Sequence, residues 1–153
     1  MNVPPTVVIF VGIQATGKTT FFKERFLKTH AHISLDVLKT RFQESKALER
    51  CFANRESLVV DNTNPTRQER AKYLEMAHLH GYRAQAYYFR SNLSEALARN
   101  SIRTGKYRIP DLGIKGTSAK LELPTRREGF DELFHVRIED SGRFKVEVWN
   151  DEI

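Results

Sequence analysis

The sequence predicts an α/β fold in which a mostly parallel sheet carries helices on its flanks. Three observations lead there. Val7–Val11 and Leu58–Val60 are short, continuous, β-branched runs, the mark of strands buried on both faces. Stretches with apolar residues at helical spacing separate the strand-like runs. The first run ends at Gly12, in a turn that opens directly into one of those helices.

The elements follow in order. After the strand at 7–11, Phe22 and Phe26 stand one turn apart and predict a helix over 19–30. His32-Ile33-Ser34-Leu35 predicts a second strand ending at Asp36, and residues 37–52 a weakly amphipathic helix. Leu58–Val60 closes on Asp61. Asn64-Pro65, or Thr66 with Glu69 three residues on, caps a helix running to His80, where Gly81 stops it. His78 and His80 fall in that helix's last turn, a structural position that suits a cation. A fourth strand spans 84–89. Asn92 with Glu95 caps a helix through Asn100. Gly105, Pro110, Gly113 and Gly116 predict a loop, and alternation around Asp140-Ser141-Gly142 predicts a C-terminal hairpin, about 133–149.

With 153 residues, 40% hydrophobic and 29% charged, the chain has a globular composition. A chain of that size buries about 68–70% of its unfolded surface and folds without staples. The whole span 1–153 reads as one domain. Cys51 is the lone cysteine, a small apolar filler, which leaves no disulfide and no cysteine-based zinc cage. The longest apolar run, Val7–Ile13, is far too short for a bilayer. Met1–Pro5 lacks a signal-like pattern, so the expected location is cytoplasmic, with no membrane partner. The net charge is +6, and the stretch from Arg99 to Arg127 holds eight basic residues against two acids. The whole excess sits there, which favours a polyanionic partner.

Gly12-Ile13-Gln14-Ala15-Thr16-Gly17-Lys18-Thr19 satisfies every fixed position of G-x-x-x-x-G-K-[ST]. In that pattern the backbone wraps a phosphate at a helix N-terminus, the lysine reaches the β- and γ-phosphates and the hydroxyl ligates Mg²⁺. Ala15, Thr16, Gly17, Lys18, Thr19 and Thr20 are therefore the expected ATP contacts with Gly12, and Mg²⁺ the expected ion. In an open parallel sheet, ligands gather outside the carboxyl ends of the strands. That places Asp36 and Asp61 beside the loop. Asp36 suits a proton acceptor for an attacking hydroxyl, a role compatible with capping the following helix. Asp61, Asn62, Thr63 and Asn64 suit Mg²⁺ or an acceptor phosphate. Arg99 and Arg103, four apart on a helix, project from one face toward the transferred phosphate. The glycines and the proline beyond them suit a lid, about 99–120.

These residues resemble the P-loop kinase domain of 5′-hydroxyl polynucleotide kinases, as an AAA-type ATP-binding kinase standing alone. The resemblance runs from about Val7 to Val136, through GIQATGKT, SLDVLKTRF, VVDNTNPTRQER, RNSIRTGKYRIP and LPTRREGFDEL. It implies that Lys18, Asp36 and Arg103 are catalytic, with Asp36 the general base, Arg103 the lid arginine and Arg99 in support. It also implies that Lys39 and Thr63, with Arg41 and Asn62 beside them, contact the acceptor, and that Thr19 and Asp61 serve the metal. The chain departs from the family at Lys39, where an arginine is usual, and in having no D-x-D motif of a phosphatase domain. The resulting expectation is an ATP- and Mg²⁺-dependent kinase acting on the 5′-OH of RNA or DNA. A small-molecule kinase similar to gluconate kinases or zeta-type toxins is the alternative. A nucleotide-switched binding module with slow hydrolysis is the third reading, and it has no need of a base at Asp36.

Overall fold

The computed structural model describes residues 3–149, apart from the Lys106 side chain; Met1, Asn2 and positions 150–153 of the expected domain lie outside it. Strand β1 (Thr6–Val11) is central, and Val7 through Val11 are at most 1% exposed. With β2 (Ala31–Ile33), β3 (Leu58–Val60), β4 (Arg83–Phe89), β5 (Glu132–Ile138) and β6 (Phe144–Val148) it forms one sheet, in the order β2-β3-β1-β4-β5-β6. The first five strands are parallel, in a register that sets Val7 against Leu58 and Ala84, and Ile9 against Val60 and Ala86. Only β6 runs antiparallel, pairing Val146 with Val136.

Successive side chains of β1 point to opposite faces, so one strand feeds two cores. Val8 and Phe10 pack with Phe21, Phe22 and Phe26, the face covered by α1 (Lys18–Arg25). Val7, Ile9 and Val11 pack with Leu48, Cys51 and Phe52 of α3 (Arg41–Ala53) and Tyr73, Leu74 and Ala77 of α4 (Arg67–Leu79). Right-handed crossovers require this division. The chain leaves β1 toward β2 through α1 but crosses from β3 to β4 through α4, so the helices take opposite faces. The crevice where the connections part lies at the carboxyl ends of β1 and β3, the topological switch point.

Four expected elements differ. The helix read over 37–52 is two pieces, α2 (Leu35–Leu38) and α3, because Lys39 has φ of 74° and Thr40 caps α3 by accepting from the Gln43 N–H at 3.1 Å. The second strand accordingly stops at Ile33, and Asp36 lies within α2 rather than at a strand end. The stretch 105–116 is not all loop. A 3₁₀ turn (Gly105–Tyr107) leads to a helix over Asp111–Lys120, here α6, following α5 (Leu93–Ser101). Each glycine inside α6 costs about 1 kcal/mol. Full burial of Ile114 against Ile13, Ala15 and Ala96 offsets that with about 1.5–3 kcal/mol. The first helix also ends earlier than expected, at Arg25. Elsewhere the caps act as read: Thr66 and Glu69 form a reciprocal capping box on α4, and Asn92 accepts from Glu95 N–H on α5. Cys51 is buried and free, His78 faces the Gly129 carbonyl at 3.0 Å, and His80 stacks on Phe52.

The motif blocks around residues 61–70 and 123–133 are fastened to each other. Arg70, wholly buried on α4, forks onto Glu128 through Nε–Oε1 at 2.8 Å and Nη2–Oε2 at 3.0 Å. Its Nη1 donates to the carbonyls of Asn64 and Glu122. Removing the arginine strands a buried carboxylate and two carbonyls. Arg70→Met is therefore expected to lower unfolding free energy by about 3–5 kcal/mol in urea titrations, with part of the loss recovered in Arg70→Met/Glu128→Leu. A loss under about 1 kcal/mol in the single variant contradicts this account.

Candidate active site

The phosphate-binding loop is held by close packing. A Cβ on Gly12 would lie 3.1 Å from both the Cβ and the carbonyl of Phe89, so any larger residue would push the ends of β1 and β4 apart. Gly17 takes φ of 90°, and a Cβ on it would meet Phe144 at 2.9 Å, which seats the C-terminal hairpin against the loop. Inside the loop, Lys18 Nζ donates to the carbonyls of Gly12 (3.0 Å) and Ile13 (2.7 Å). Burial pushes its ammonium down to about 8; Asp61 draws it back up, Arg103 lowers it further and Asp36 raises it. Lysine, arginine and both aspartates thus share one electrostatic site.

The end of β3 supplies the opposite wall. Asp61 is buried, and its Oδ2 accepts from the Thr19 hydroxyl at 2.9 Å and lies 2.8 Å from His32 Nε2. His32 in turn stacks on Phe22, with ring centroids 4.0 Å apart. Thr19 and Asp61 bring hard oxygen donors together, a set that suits Mg²⁺ with substrate phosphates completing its shell. Among the described residues no cluster of three or more His, Cys, Asp or Glu could hold a metal unaided. Beyond Asp61, the Thr63 carbonyl accepts from Gly12 N–H at 3.0 Å, and Asn64 Nδ2 donates to the Phe10 carbonyl at 2.8 Å. These bonds tie the ends of β1 and β3 together where backbone pairing stops.

A cleft of about 340 Å³ lies between these walls. Gln14 through Thr20, Asp36, Asp61, Asn62, Thr63 and Arg103 line it, so most expected site residues converge. Asp36 is exposed to it, and its carboxylate makes no hydrogen bond to another described residue. Four expected residues lie outside the lining: Gly12, at the turn out of β1, and three others. Lys39 sits in the turn between α2 and α3; Arg41 pairs with Glu44 at 3.0 Å; Arg99 Nη1 reaches only the Ala15 carbonyl, at 3.4 Å. Asn62 lines the cleft but spends its amide on the protein: Oδ1 accepts from Leu35 N–H and Nδ2 donates to Glu44.

Arg103 does not share a helix with Arg99 as expected, since α5 ends at Ser101; it enters the cleft from a loop closed at its base by the buried Asn100, which bonds both the carbonyl and the N–H of Ile109. α6 beyond it is docked on the phosphate loop through Ile114 and through Gln14 Nε2, which donates to Thr117 Oγ1 at 3.0 Å. Sequence reading missed His32 and Glu44. His32 carried no signal, since one histidine in a three-residue strand has no pattern. Glu44 did carry one: with Ala47, Leu48 and Cys51 it occupies the buried face of α3, a carboxylate in an apolar stripe.

The sequence profile of the AAA domain family matches residues 41–124, more than half of the chain and wholly beyond the phosphate loop. The chain is 26% identical over 136 residues, 85% of its length, to a bifunctional polynucleotide phosphatase/kinase of Schizosaccharomyces pombe. It spans about a third of the length of the curated relatives it matches. Its fold is that of P-loop kinases. A fungal RNA kinase superposes with TM-score 0.67 at 15% identity, over 89% of this chain and 39% of that one. A gluconokinase from Sinorhizobium meliloti 1021 superposes with TM-score 0.61 at 21% identity, over 89% and 83%. No helix among the described residues is long and apolar enough to cross a membrane.

The Lys18 environment makes a prediction of its own. An ammonium with a folded pKa near 8 and an unfolded value of 10.5 opposes folding fully below pH 8. The opposition is relieved as pH rises toward 10.5, because the unfolded chain then binds more protons than the folded one. Lys18→Met should accordingly be more stable than the parent at pH 7, with the gap closing by pH 10. A constant gap across that range, read by chemical denaturation at each pH, contradicts the assignment.

Proposed function

Because the chain belongs to the AAA domain family, we propose that it is an ATP-dependent phosphotransferase whose acceptor is the 5′-hydroxyl end of RNA or DNA. The observation that carries this reading is Asp36, an uncommitted carboxylate facing Lys18 and Arg103 across one cleft. Neither a nucleotide switch nor a plain ATP-binding module requires a free base there.

In the proposed reaction the loop N–H groups and Lys18 hold the ATP phosphates, with Lys18 exchanging two carbonyl partners for phosphate oxygens. Asp36 takes the proton of the acceptor hydroxyl as its oxygen bonds to the γ-phosphorus. The bond from that phosphorus to the β–γ bridging oxygen breaks, and ADP leaves. Arg103 balances charge on the phosphoryl group in transit, and its loop serves as the lid, pivoting about the Asn100–Ile109 closure while α6 stays docked. Thr19 and Asp61 would hold Mg²⁺, which when bound neutralises phosphate charge. Thr63, Lys39 and Arg41 are the proposed acceptor side, Asn62 being committed to Leu35 and Glu44 instead, and Arg99 supports the donor side.

The polynucleotide acceptor is supported by the relatives named for polynucleotide phosphatase/kinase activity and by the concentration of basic residues at 99–127. A small-molecule acceptor is the second reading, favoured by the fuller coverage of the gluconokinase.

With γ-labelled ATP and 5′-OH oligonucleotides, Asp36→Asn should reduce kcat by about 10²–10⁴-fold while ATP affinity stays within about threefold. A collapse of ATP affinity at unchanged kcat would make Asp36 a structural or metal residue.

Salt separates the two acceptor classes. Contacts to two to four phosphates give a log–log slope of roughly −1.5 to −3 for oligonucleotide affinity. A flat dependence of acceptor KM, at fixed free Mg²⁺, supports the small-molecule reading instead.

A further inference from the structure

The turn that carries Asp36 has little to hold it in place. α2 is four residues long and none of them is fully buried; only Leu38 packs partly against the core. One helical turn does not sustain itself in water. Lys39, immediately after it, holds φ of 74° while Thr40 N–H donates to the Leu38 carbonyl at 2.9 Å, a tight three-residue turn that is strained for a residue with a Cβ. Such a turn persists only where its surroundings impose it.

The surroundings lead to Glu44, which is 2% exposed. Its Oε2 accepts from Asn62 Nδ2 at 3.2 Å and from the Tyr73 hydroxyl at 2.9 Å. Its Oε1 faces Arg41 Nη1 at 3.0 Å and Lys72 Nζ at 3.5 Å. Burial and Glu44 itself hold the Tyr73 phenol well above its ordinary pKa, so it remains a donor. Asn62, oriented by Glu44, presents Oδ1 to Leu35 N–H at 2.9 Å, one residue before Asp36. An apolar residue would fit the buried face of α3 without the desolvation cost of a carboxylate.

We infer that Glu44 is a positioning residue for the reaction: through Asn62 and the Leu35 N–H it fixes the turn that aims Asp36 into the cleft. The inference rests on the proposal that Asp36 is the base. Glu44 is buried behind Asn62 and does not line the cleft, so its substitution reaches turnover through its partners, through Asn62 on the turn and through Arg41, 3.0 Å away, on the acceptor side; Leu35 exchange reports the first route alone.

The test compares Asn62→Ala, Glu44→Ala and the double variant by steady-state kinetics with a 5′-OH oligonucleotide and by amide hydrogen exchange. Each single variant is expected to lower kcat by about 10- to 100-fold with KM for ATP within twofold. The double variant should be no slower than the slower single, since both cut one chain of contacts. Leu35 N–H should exchange at least tenfold faster in each, with the β1 and β3 amides unchanged. Unaltered kcat and Leu35 exchange in Asn62→Ala, multiplicative losses in the double, or uniformly faster exchange across the sheet overturns the inference. If Glu44→Ala does not fold, Glu44→Gln replaces it. Its one carbonyl oxygen can still accept from Asn62, so it should keep Leu35 protection and kcat near the parent's; loss of both contradicts the chain. Should the parent phosphorylate no oligonucleotide, the acceptor proposal fails, and Leu35 exchange alone decides whether Glu44 holds the turn.

Discussion

The site depends on how closely β1 ends against β4. Gly12 approaches Phe89 so closely that a Cβ there would press on both the Cβ and the carbonyl of Phe89 at 3.1 Å, at the point where the chain turns out of β1. The turn brings Gly12 N–H onto the Thr63 carbonyl and leaves the Phe10 carbonyl for Asn64. Everything downstream inherits its position from these contacts: the loop, the start of α1, and Thr19 beside Asp61. A substitution at Gly12 thus displaces the nucleotide cradle and the β3 wall together.

Within that frame the site is an electrostatic balance built at low dielectric. Lys18 is buried against two carbonyls, with Asp61 and Asp36 on one side of its charge and Arg103 on the other. Burial lowers the ammonium's pKa by more than Asp61 and Asp36 restore. A polyphosphate entering the loop would bring negative charge to that buried ammonium, so the site favours anions. Asp61 is held by Thr19 and by a histidine braced on Phe22, whereas Asp36 is left open to the cleft.

Rigidity is distributed unevenly around the cleft, and the distribution matches the proposed roles. The phosphate loop is gripped by β4, α6 and the C-terminal hairpin through Phe89, Ile114 and Phe144. The Arg103 loop is closed at its base by Asn100, and Ile102 and Tyr107 are exposed. The Asp36 turn is intermediate, with its aim set by a relay of polar contacts. The proposed binding and closing roles thereby fall to separate segments of one cleft.

Much of this was legible in the residues alone. The strand at 7–11, the loop motif, the carboxyl-end placement of Asp61 and the caps at Thr66 and Asn92 are all local patterns, each decided within a few neighbouring residues. The break at Lys39 was not, because a capping threonine inside a helical stretch competes with continuation and only the docking of α3 settles the outcome. Nor was α6, whose two glycines read as loop until Ile114 finds its pocket between the phosphate loop and α5. The polar pairs that complete the site, His32 with Asp61, Glu44 with Asn62 and Arg70 with Glu128, join residues 29, 18 and 58 positions apart. Local propensity and periodicity report what a residue does to its own segment. Such pairs leave no trace there, because their energy exists only once the sheet has brought the two partners into contact.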